Sequence, residues 1–186
     1  VMYSTDGINW NAAAAAEANN WRSVTYGDGK FVAVSTNGTN QVMYSTEGIS
    51  WTAASAADNN GWQSVTYGGG KFVAVAGSGT NQVMYSTDAI NWNSASAAND
   101  NQWFSVTYGD NKFVAVSGIG TNDRVMYSTD GINWTAASAA EDNYWGSVTY
   151  GNGKFVAVSQ DGTNRVMWSY TGTSAFNTRY FDTNNS

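Results

Sequence analysis

The sequence predicts an all-β protein, and within that class a β-propeller built from about four to five four-stranded antiparallel blades. The first observation is a repeat: the tetrapeptide Val-Met-Tyr-Ser begins at Val1, Val42, Val83 and Val125, so the period is 41–42 residues. Periods of this length are typical of propeller blades. The second observation is that each period alternates short runs of β-branched and aromatic residues with turn signals, and these runs are too short for helices.

The repeats make one domain of the 186-residue chain. Their bounds are 1–41, 42–82, 83–124 and 125–165, followed by a degenerate partial repeat at 166–186. Because the sequence starts inside a repeat and without an initiator Met, we expect a processed or excised piece of a longer protein.

Each blade has a regular order of strands and turns. The first two strands are expected at 21–26 and 30–35, and Asp28-Gly29 between them predicts a type I′ hairpin, because both central residues need a positive φ. The third strand is expected at 42–45 and the fourth from 49–51, with the alanine-rich tract beyond as an outer strand or connection. We expect no helix longer than one turn. The later hairpin dipeptides are Gly69-Gly70, Asp110-Asn111 and Asn152-Gly153.

The turn between the third and fourth strands carries a recurrent motif. It reads Ser-Thr-Asp-Gly-Ile-Asn-Trp at 4–10 and recurs three times, with Glu47 replacing the Asp in the second copy and Ala89 replacing the Gly in the third. A short carboxylate can accept hydrogen bonds from turn amides, and Gly permits a left-handed residue. These residues resemble the Asp-box, or bacterial neuraminidase repeat (BNR), of sialidase-like propellers, although the spacing is one residue shorter. The resemblance implies a structural turn remote from the ligand site.

The whole repeat also resembles the repeat propellers of bacterial surface proteins and of phage tail or receptor-binding proteins. The residues behind this similarity are the Ser-Val-Thr-Tyr-Gly and Lys-Phe-Val-Ala-Val strands. The similarity implies adhesion or virion attachment, and therefore an extracellular or virion-surface location, without specifying a ligand.

Composition narrows the function classes. The chain has no Cys and no His, which excludes disulfides, zinc–thiolate sites and the commonest general base. Eight Lys plus Arg are spread along a chain of net charge −6, so we expect no nucleic-acid partner. No apolar run approaches the roughly 20 residues of a membrane span, so we expect no membrane insertion. We expect no cofactor and no metal, since calcium at Asp161–Asn164 would have too few protein ligands.

Differences among the copies favour one face as a binding surface. In an up-down-up-down blade, the loop between strands two and three and the crossover into the next blade lie on one side, which we call the crossover face. The copies differ most there, and binding sites favour loops on a rigid scaffold, although surface loops also drift without function. An invariant Asn precedes the variable residues, where it would bind a sugar beside an aromatic or, alternatively, cap the crossover turn. The predicted ligand-binding residues are Asn19, Trp21, Arg22, Asn60, Trp62, Asn101, Trp103, Asn143, Tyr144 and Trp145.

Catalysis is not expected. A glycosidase needs two carboxylates facing one another across a bond, which acidic pairs such as Glu141-Asp142 do not show. A sialidase-like site would need three clamping arginines, and of the four in the chain Arg124 and Arg165 are copies of one loop position. The sequence therefore predicts a non-enzymatic carbohydrate- or cell-surface-binding propeller, such as an adhesin or phage receptor-binding module, with a glycan or cell-surface ligand as partner. A homo-oligomer or larger assembly is compatible with it. The alternatives are a purely structural module of a virion or surface assembly and, more remotely, an Asp-box glycoside hydrolase.

The last expectation concerns ring closure. Residues 1–10 look like a third and fourth strand with no first or second strand before them, and the final copy loses its turn signal at 170–172, with Ala175 at the Trp position. Since unpaired sheet edges are a liability, we predict that residues 1–10 dock beside the strand at 154–159 and close a four-bladed ring. The chain from Val166 onward would then form a tail or join a partner. Alternatively, the chain is a segment of a larger propeller.

Overall fold

A computed structural model describes residues 1–120, 123–172 and 177–178. The described residues form eighteen strands in five antiparallel sheets and no helix, as predicted. Consequently, none of these residues belongs to a helix long and apolar enough to cross a membrane.

The sheets are one short hairpin and four blades. The N-terminal hairpin pairs β1 (Met2–Tyr3) with β2 (Asn11–Ala12). The first blade contains β3 (Trp21–Gly27), β4 (Lys30–Ser35), β5 (Val42–Ser45) and β6 (Thr52–Ala54). The second contains β7 (Trp62–Gly68), β8 (Lys71–Ala76), β9 (Val83–Ser86) and β10 (Asn93–Ala95). The third contains β11 (Gln102–Gly109), β12 (Lys112–Ile119), β13 (Val125–Ser128) and β14 (Thr135–Ala137). The fourth contains β15 (Trp145–Gly151), β16 (Lys154–Ser159), β17 (Val166–Ser169) and β18 (Asn177–Thr178).

The hairpin between the first two strands of each blade has the predicted geometry. Asp28 and Gly29 have φ of 45° and 71°, and both central residues of the three later hairpins are also positive. This is the backbone that type I′ turns require. The register then places Gly27 opposite Lys30 and Tyr26 opposite Phe31, whose ring centroids lie 4.7 Å apart.

The turn between the third and fourth strands is held by its Asp. Asp6 Oδ1 accepts hydrogen bonds from the amides of Ile8 and Asn9 at 2.8 Å each, and Oδ2 accepts from Asn9 Nδ2 at 2.7 Å. These bonds, led by the Asn9 amide, hold the pKa of Asp6 well below its usual range. Asp88 and Asp130 repeat the pattern.

The fourth strand starts after the Trp of this turn, at Thr52 in the first blade, so the expected start at 49–51 is wrong: those residues complete the turn.

The core lies between blades. Each internal core combines valines and one alanine from one blade with a Trp, a Phe and a Met from the next. Between the first and second blades, for example, Val32 and Val34 pack with Trp62, Phe72 and Met84, all at most 2% exposed. Because each blade buries its faces against its neighbours, the blades stabilise one another as in other repeat proteins.

The predicted docking of residues 1–10 beside the strand at 154–159 is wrong. That strand, β16, is flanked by β15 and by β17, in the register Phe155 opposite Ser169 and Val158 opposite Val166. Residues 166–169 and 177–178 are therefore strands of the fourth blade rather than a displaced tail. The N-terminal hairpin and the first blade instead line an open cavity of about 590 Å³, whose residues include Val1, Trp21, Phe31 and Met43. Ala175 lies outside the described residues.

Candidate binding face

The crossover face forms where the start of each first strand meets the loop between strands two and three. In the fourth blade the Tyr144 carbonyl accepts from the Gln160 amide at 3.0 Å, and the Tyr144 amide donates to Asp161 Oδ1 at 2.6 Å. The first blade repeats these bonds with Asn20, Thr36 and Asn37. The variable segments of the sequence therefore do lie side by side.

The four invariant asparagines stabilise the crossover face through hydrogen bonds made by their side chains. Asn60, Asn101 and Asn143 are 5%, 2% and 6% exposed, and Asn19 is half-buried. In each case the side-chain amide donates to a carbonyl of the adjacent loop, for example from Asn143 Nδ2 to the Asn164 carbonyl at 2.8 Å. These contacts match the capping alternative, and they leave the buried amides inaccessible to a surface ligand.

Three of the four predicted tryptophans are equally inaccessible. Trp62, Trp103 and Trp145 are 0% exposed, because their rings fill the cores between blades. Each indole also donates to a crossover carbonyl, as Trp62 does to Asp58 at 3.2 Å. Their place in the fold makes them packing residues. Trp21 is half-buried and lies with the exposed Arg22 at the cavity beneath the N-terminal hairpin, and its amide donates to the Asn19 carbonyl at 3.0 Å.

Tyr144 is the predicted residue whose position suits a ligand. It is half-buried at the border of the third and fourth blades, and its ring centroid lies 4.9 Å from that of Phe104 with an interplanar angle of 33°. A Cβ on Gly118 would fall 2.8 Å from the Tyr144 ring, so the ring lies directly on the backbone of β12. Gln160 and Asp161, which hydrogen-bond the Tyr144 backbone, are exposed, and so is Gln102, two residues before Phe104. We call Phe104 and Tyr144 the aromatic pair.

Charged groups fix the crossover that carries Tyr144. Arg124 forms an ion pair with Asp142 and donates from Nη1 to the Asn143 carbonyl at 3.0 Å. Glu141 accepts from Asn164 and Asn143 side chains, and the Asn164 bond is the main reason that the pKa of Glu141 lies below its ordinary value. Glu17 is held in the same way in the first blade. The aromatic pair therefore rests on a rigid support.

The sequence analysis did not identify Phe104, nor Glu17 and Glu141, the carboxylates that accept hydrogen bonds from the crossover loops. Phe104 is the aromatic exception at the position after the first Trp of a blade, where the other copies have Arg22, Gln63 and Gly146. That exception was the available signal, but its pairing with Tyr144 depends on the blade-to-blade contact. Among the described residues, no cluster of three or more acidic side chains is placed to bind a metal ion.

Comparison with known proteins identifies the fold and not a family. No family model and no curated protein matches the sequence. Among solved structures, a catalytically inactive virginiamycin B lyase from Staphylococcus aureus with quinupristin superposes with a TM-score of 0.73 at 13% identity, covering 89% of this chain and 57% of that one.

Two further solved structures are similar to this chain. YCF48 bound to D1 peptide has a TM-score of 0.62 at 14% identity over 88% of this chain and 54% of that chain, so this chain spans about half of YCF48. The computationally designed Ika4 protein has a TM-score of 0.60 at 12% identity, covering 81% and 91% of the two chains. At these identities the likeness shows the fold alone, and it shows that the chain is a β-propeller of four-stranded antiparallel blades.

Proposed function

We propose that the chain is a non-enzymatic propeller that binds carbohydrate on a cell or virion surface through its crossover face. The aromatic pair carries this proposal. Sugars present apolar C–H faces that stack on aromatic rings and hydroxyl groups that bond with amides and carboxylates, and both kinds of group meet at Phe104, Tyr144, Gln160 and Asp161.

The hydrogen bonds that hold the backbone of Tyr144 in place favour ligand binding at the aromatic pair. Tyr144 has its amide and carbonyl both hydrogen-bonded, and the preceding Asn143 is locked to the Asn164 carbonyl. A preorganised side chain loses little conformational entropy when a ligand arrives, which matters for the weak affinity of single sugar sites. At the other two borders between described blades the equivalent positions hold Arg22 with Gly61 and Gln63 with Gln102, so we propose one principal site rather than four equivalent ones.

The carboxylates support a non-catalytic role. Those whose pKa the structure shifts, Asp6, Glu17, Asp88, Asp130 and Glu141, all shift downward because they accept several hydrogen bonds. They are therefore ionised at neutral pH and are unsuited to donate a proton to a glycosidic oxygen. The Asp-box assignment of the turns remains part of this proposal, as structural turns away from the site.

A glycan array tests the proposal. Wild-type chain should bind a subset of glycans, and Phe104→Ser together with Tyr144→Ser should lower binding at least tenfold while the circular dichroism spectrum stays unchanged. Tyr170→Ser is the matched control, since Tyr170 is 60% exposed but lies in a turn between the third and fourth strands of its blade. Equal binding by the double variant and wild type would contradict the site, and no binding to any glycan by wild type would contradict the ligand class.

A further inference from the structure

Two sequence positions face each other at every border between described blades, and their side chains differ from border to border. The first position directly precedes the third strand, and in each blade its carbonyl accepts a hydrogen bond from an amide of the second strand. The second position directly precedes the invariant Asn of the next crossover. Because the backbone pairing is the same at all three borders, the pairs can be compared as natural substitutions within one site. The pairs are Gln41 with Asn59, Gln82 with Asp100 and Arg124 with Asp142.

At the border of the third and fourth blades, the two positions bind each other. Arg124 forms an ion pair with Asp142, and its guanidinium also donates to the Gly118 carbonyl and, at 3.0 Å, to the Asn143 carbonyl. One carboxylate and two backbone carbonyls therefore hold a group that only donates hydrogen bonds. This border shows how a guanidinium fits between one blade and the crossover into the next.

At the border of the first and second blades, both positions are neutral. Gln41 Nε2 donates to the Asn60 carbonyl at 2.7 Å, and this carbonyl corresponds to that of Asn143. The same carbonyl also accepts from the Trp62 amide at 3.1 Å, so it has room for two donors. The Gln41 amide thus replaces one hydrogen bond of Arg124, and Asn59 supplies no charge for a cation.

The border of the second and third blades has the carboxylate without the cation. Asp100 is exposed and corresponds to Asp142, but Gln82 occupies the position of Arg124. Among the described residues, no Lys or Arg forms an ion pair with Asp100. Gln82 and Asp100 both line an open cavity of about 370 Å³, together with residues 79–81, Ser96, Ala97 and Asn99. This volume lies within the range of roughly 300–1,000 Å³ that is typical of small-ligand sites.

The walls of this cavity include polar side chains that the described residues leave unpaired. Gln82 is 5% exposed, yet its side-chain amide makes no hydrogen bond with a described residue. Asn99 Nδ2 is buried and likewise has no partner in the described part of the chain. Buried polar groups in proteins are normally hydrogen-bonded, and leaving one unpaired is destabilising. The cavity is therefore suited to a polar ligand rather than an apolar one.

We propose that this cavity, which we call the Asp100 cavity, binds the guanidinium group of an arginine that is either free or part of a peptide. The Asp100 carboxylate pairs with the guanidinium as Asp142 pairs with Arg124, and the Asn101 carbonyl accepts from it as the Asn143 carbonyl does. The net charge of −6 also favours the approach of a cation.

A guanidinium suits this cavity better than an ammonium group. Its donors lie in one plane and reach a carboxylate and a carbonyl together, whereas an ammonium is a compact point charge. The Asp100 cavity is also independent of the proposed carbohydrate site, because the aromatic pair lies at the next border, between the third and fourth blades.

A nuclear magnetic resonance titration of the ¹⁵N-labelled full chain tests the site. The probe is Nα-acetyl-L-arginine methylamide, followed through the side-chain amide signals of Gln82 and Asn99. We expect saturable shifts of these signals with a dissociation constant in the millimolar range. The citrulline analogue has nearly the same shape without the charge, and it should bind about tenfold more weakly or worse, because a hydrogen bond to a charged group contributes at least this factor. The lysine analogue should also bind more weakly than the arginine probe.

Free L-arginine distinguishes the two sources of the guanidinium. Tighter binding of the free amino acid than of the blocked probe would assign the Asp100 cavity to the amino acid. Tighter binding of the blocked probe would assign it to an arginine within a peptide.

Two variants and one control locate the site. Asp100→Asn keeps the shape of the side chain and removes its charge, so it should weaken binding of the arginine probe about tenfold or more. Gln82→Arg places the arginine of the third blade in the second, where its own guanidinium pairs with Asp100 and excludes the probe. Asp110→Asn is the matched control: it removes the charge of another exposed Asp, in the hairpin between the first two strands, and should bind like wild type. Circular dichroism should be unchanged in all three.

Each contrary outcome overturns the proposal. The absence of saturable shifts with the arginine probe up to roughly 20 mM, well beyond millimolar affinity, would exclude the site. Equal affinity for the citrulline analogue would exclude a role for charge, and equal affinity for the lysine analogue would exclude selection of a guanidinium. Full binding by Asp100→Asn or Gln82→Arg would place the probe elsewhere. An equal loss of binding in Asp110→Asn would show attraction by net charge alone.

Discussion

The second and third blades differ from the first and fourth in environment far more than in sequence. Tyr67 and Tyr26 end the same Ser-Val-Thr-Tyr strand, yet Tyr67 covers Gly27 of the preceding blade while Tyr26 is 58% exposed. Likewise Val75 is 0% exposed and Val158 is 48% exposed at the same position of the second strand. Near-identical repeats therefore form blades with the same strand order, but the contribution of a residue to stability depends on whether a neighbouring blade covers it.

The largest expected contrast concerns the first tryptophan of each blade. Trp103→Ala should destabilise the domain by about 4 kcal/mol, because the ring is 0% exposed between two blades and its loss leaves a large cavity. Trp21→Ala should cost about half as much, since Trp21 is half-buried beside an existing cavity. Urea unfolding at a concentration where the chain is monomeric measures both. Equal losses would mean that the first blade is covered as fully as the third.

The glycine near the end of each first strand gives a sharper contrast in stability from a smaller substitution. Gly109→Ala should destabilise by about 2 kcal/mol or more, because the added Cβ overlaps the Tyr150 ring near its attachment to the backbone. Gly151→Ala should change stability by less than about 0.5 kcal/mol, since its Cβ would meet no described residue within 4 Å. Thermal melts of the two variants, run side by side, decide the matter, and a strongly destabilised Gly151→Ala would reveal a tyrosine already seated there.

The turns allow a gain of stability. The second turn has Glu47 and keeps the Ser45 hydroxyl bonds, whereas Asp88 in the third adds bonds to the amides of Ile90 and Asn91. Glu47→Asp combined with Ser50→Asn should therefore stabilise by about 1 kcal/mol at pH 7. Because these bonds lower the pKa of the folded Asp, the gain is complete above its unfolded pKa of about 3.9 and disappears as pH falls through the lower folded pKa.

Urea midpoints of this double variant and of wild type, measured at pH 7 and at pH 3, test the sign of that effect. Asp130→Glu is the reciprocal control and should lose about as much stability at pH 7. A gain by the double variant that persists unchanged to the lowest pH would show that the carboxylate is not its source.

The smallest effect is expected at Ala89. This residue replaces the turn glycine of the other copies and has φ of 67°, a conformation that costs a non-glycine residue about 1 kcal/mol. Ala89→Gly should relieve that strain and raise the melting temperature by a few degrees. Gly131→Ala makes the opposite change and should lower it, since its Cβ would come within 2.8 Å of Val73 Cγ2. A lower melting temperature for Ala89→Gly would mean that burial of its methyl group matters more than the backbone.

The sequence was sufficient to predict the strands and turns within one blade, but not which strands pair at the ends of the chain. Asp28-Gly29 and its copies predicted the hairpins because the φ requirement is local. The pairing of Val166–Ser169 with β16 could not be predicted, since Val1 carries the same motif and the choice depends on which copy reaches the edge. At the crossover face, Asn143 and Trp145 were predicted to bind a ligand because Asn and Trp are common both in sugar-binding sites and as buried, hydrogen-bonded structural residues. The sequence does not distinguish these two roles, whereas burial does.

Hydroxyl-radical footprinting with mass spectrometry at submicromolar concentration tests whether the first blade is uncovered, because it measures side-chain exposure at Tyr26, Tyr67 and Tyr108 in one sample. We predict that Tyr26 is oxidised several times faster than Tyr67 and Tyr108, which lie against Gly27 and Gly68 of the preceding blades. Protection of Tyr26 equal to that of the other two, in a chain shown to be monomeric, would mean that the first blade is already covered within one molecule and that the difference between end and middle blades does not exist.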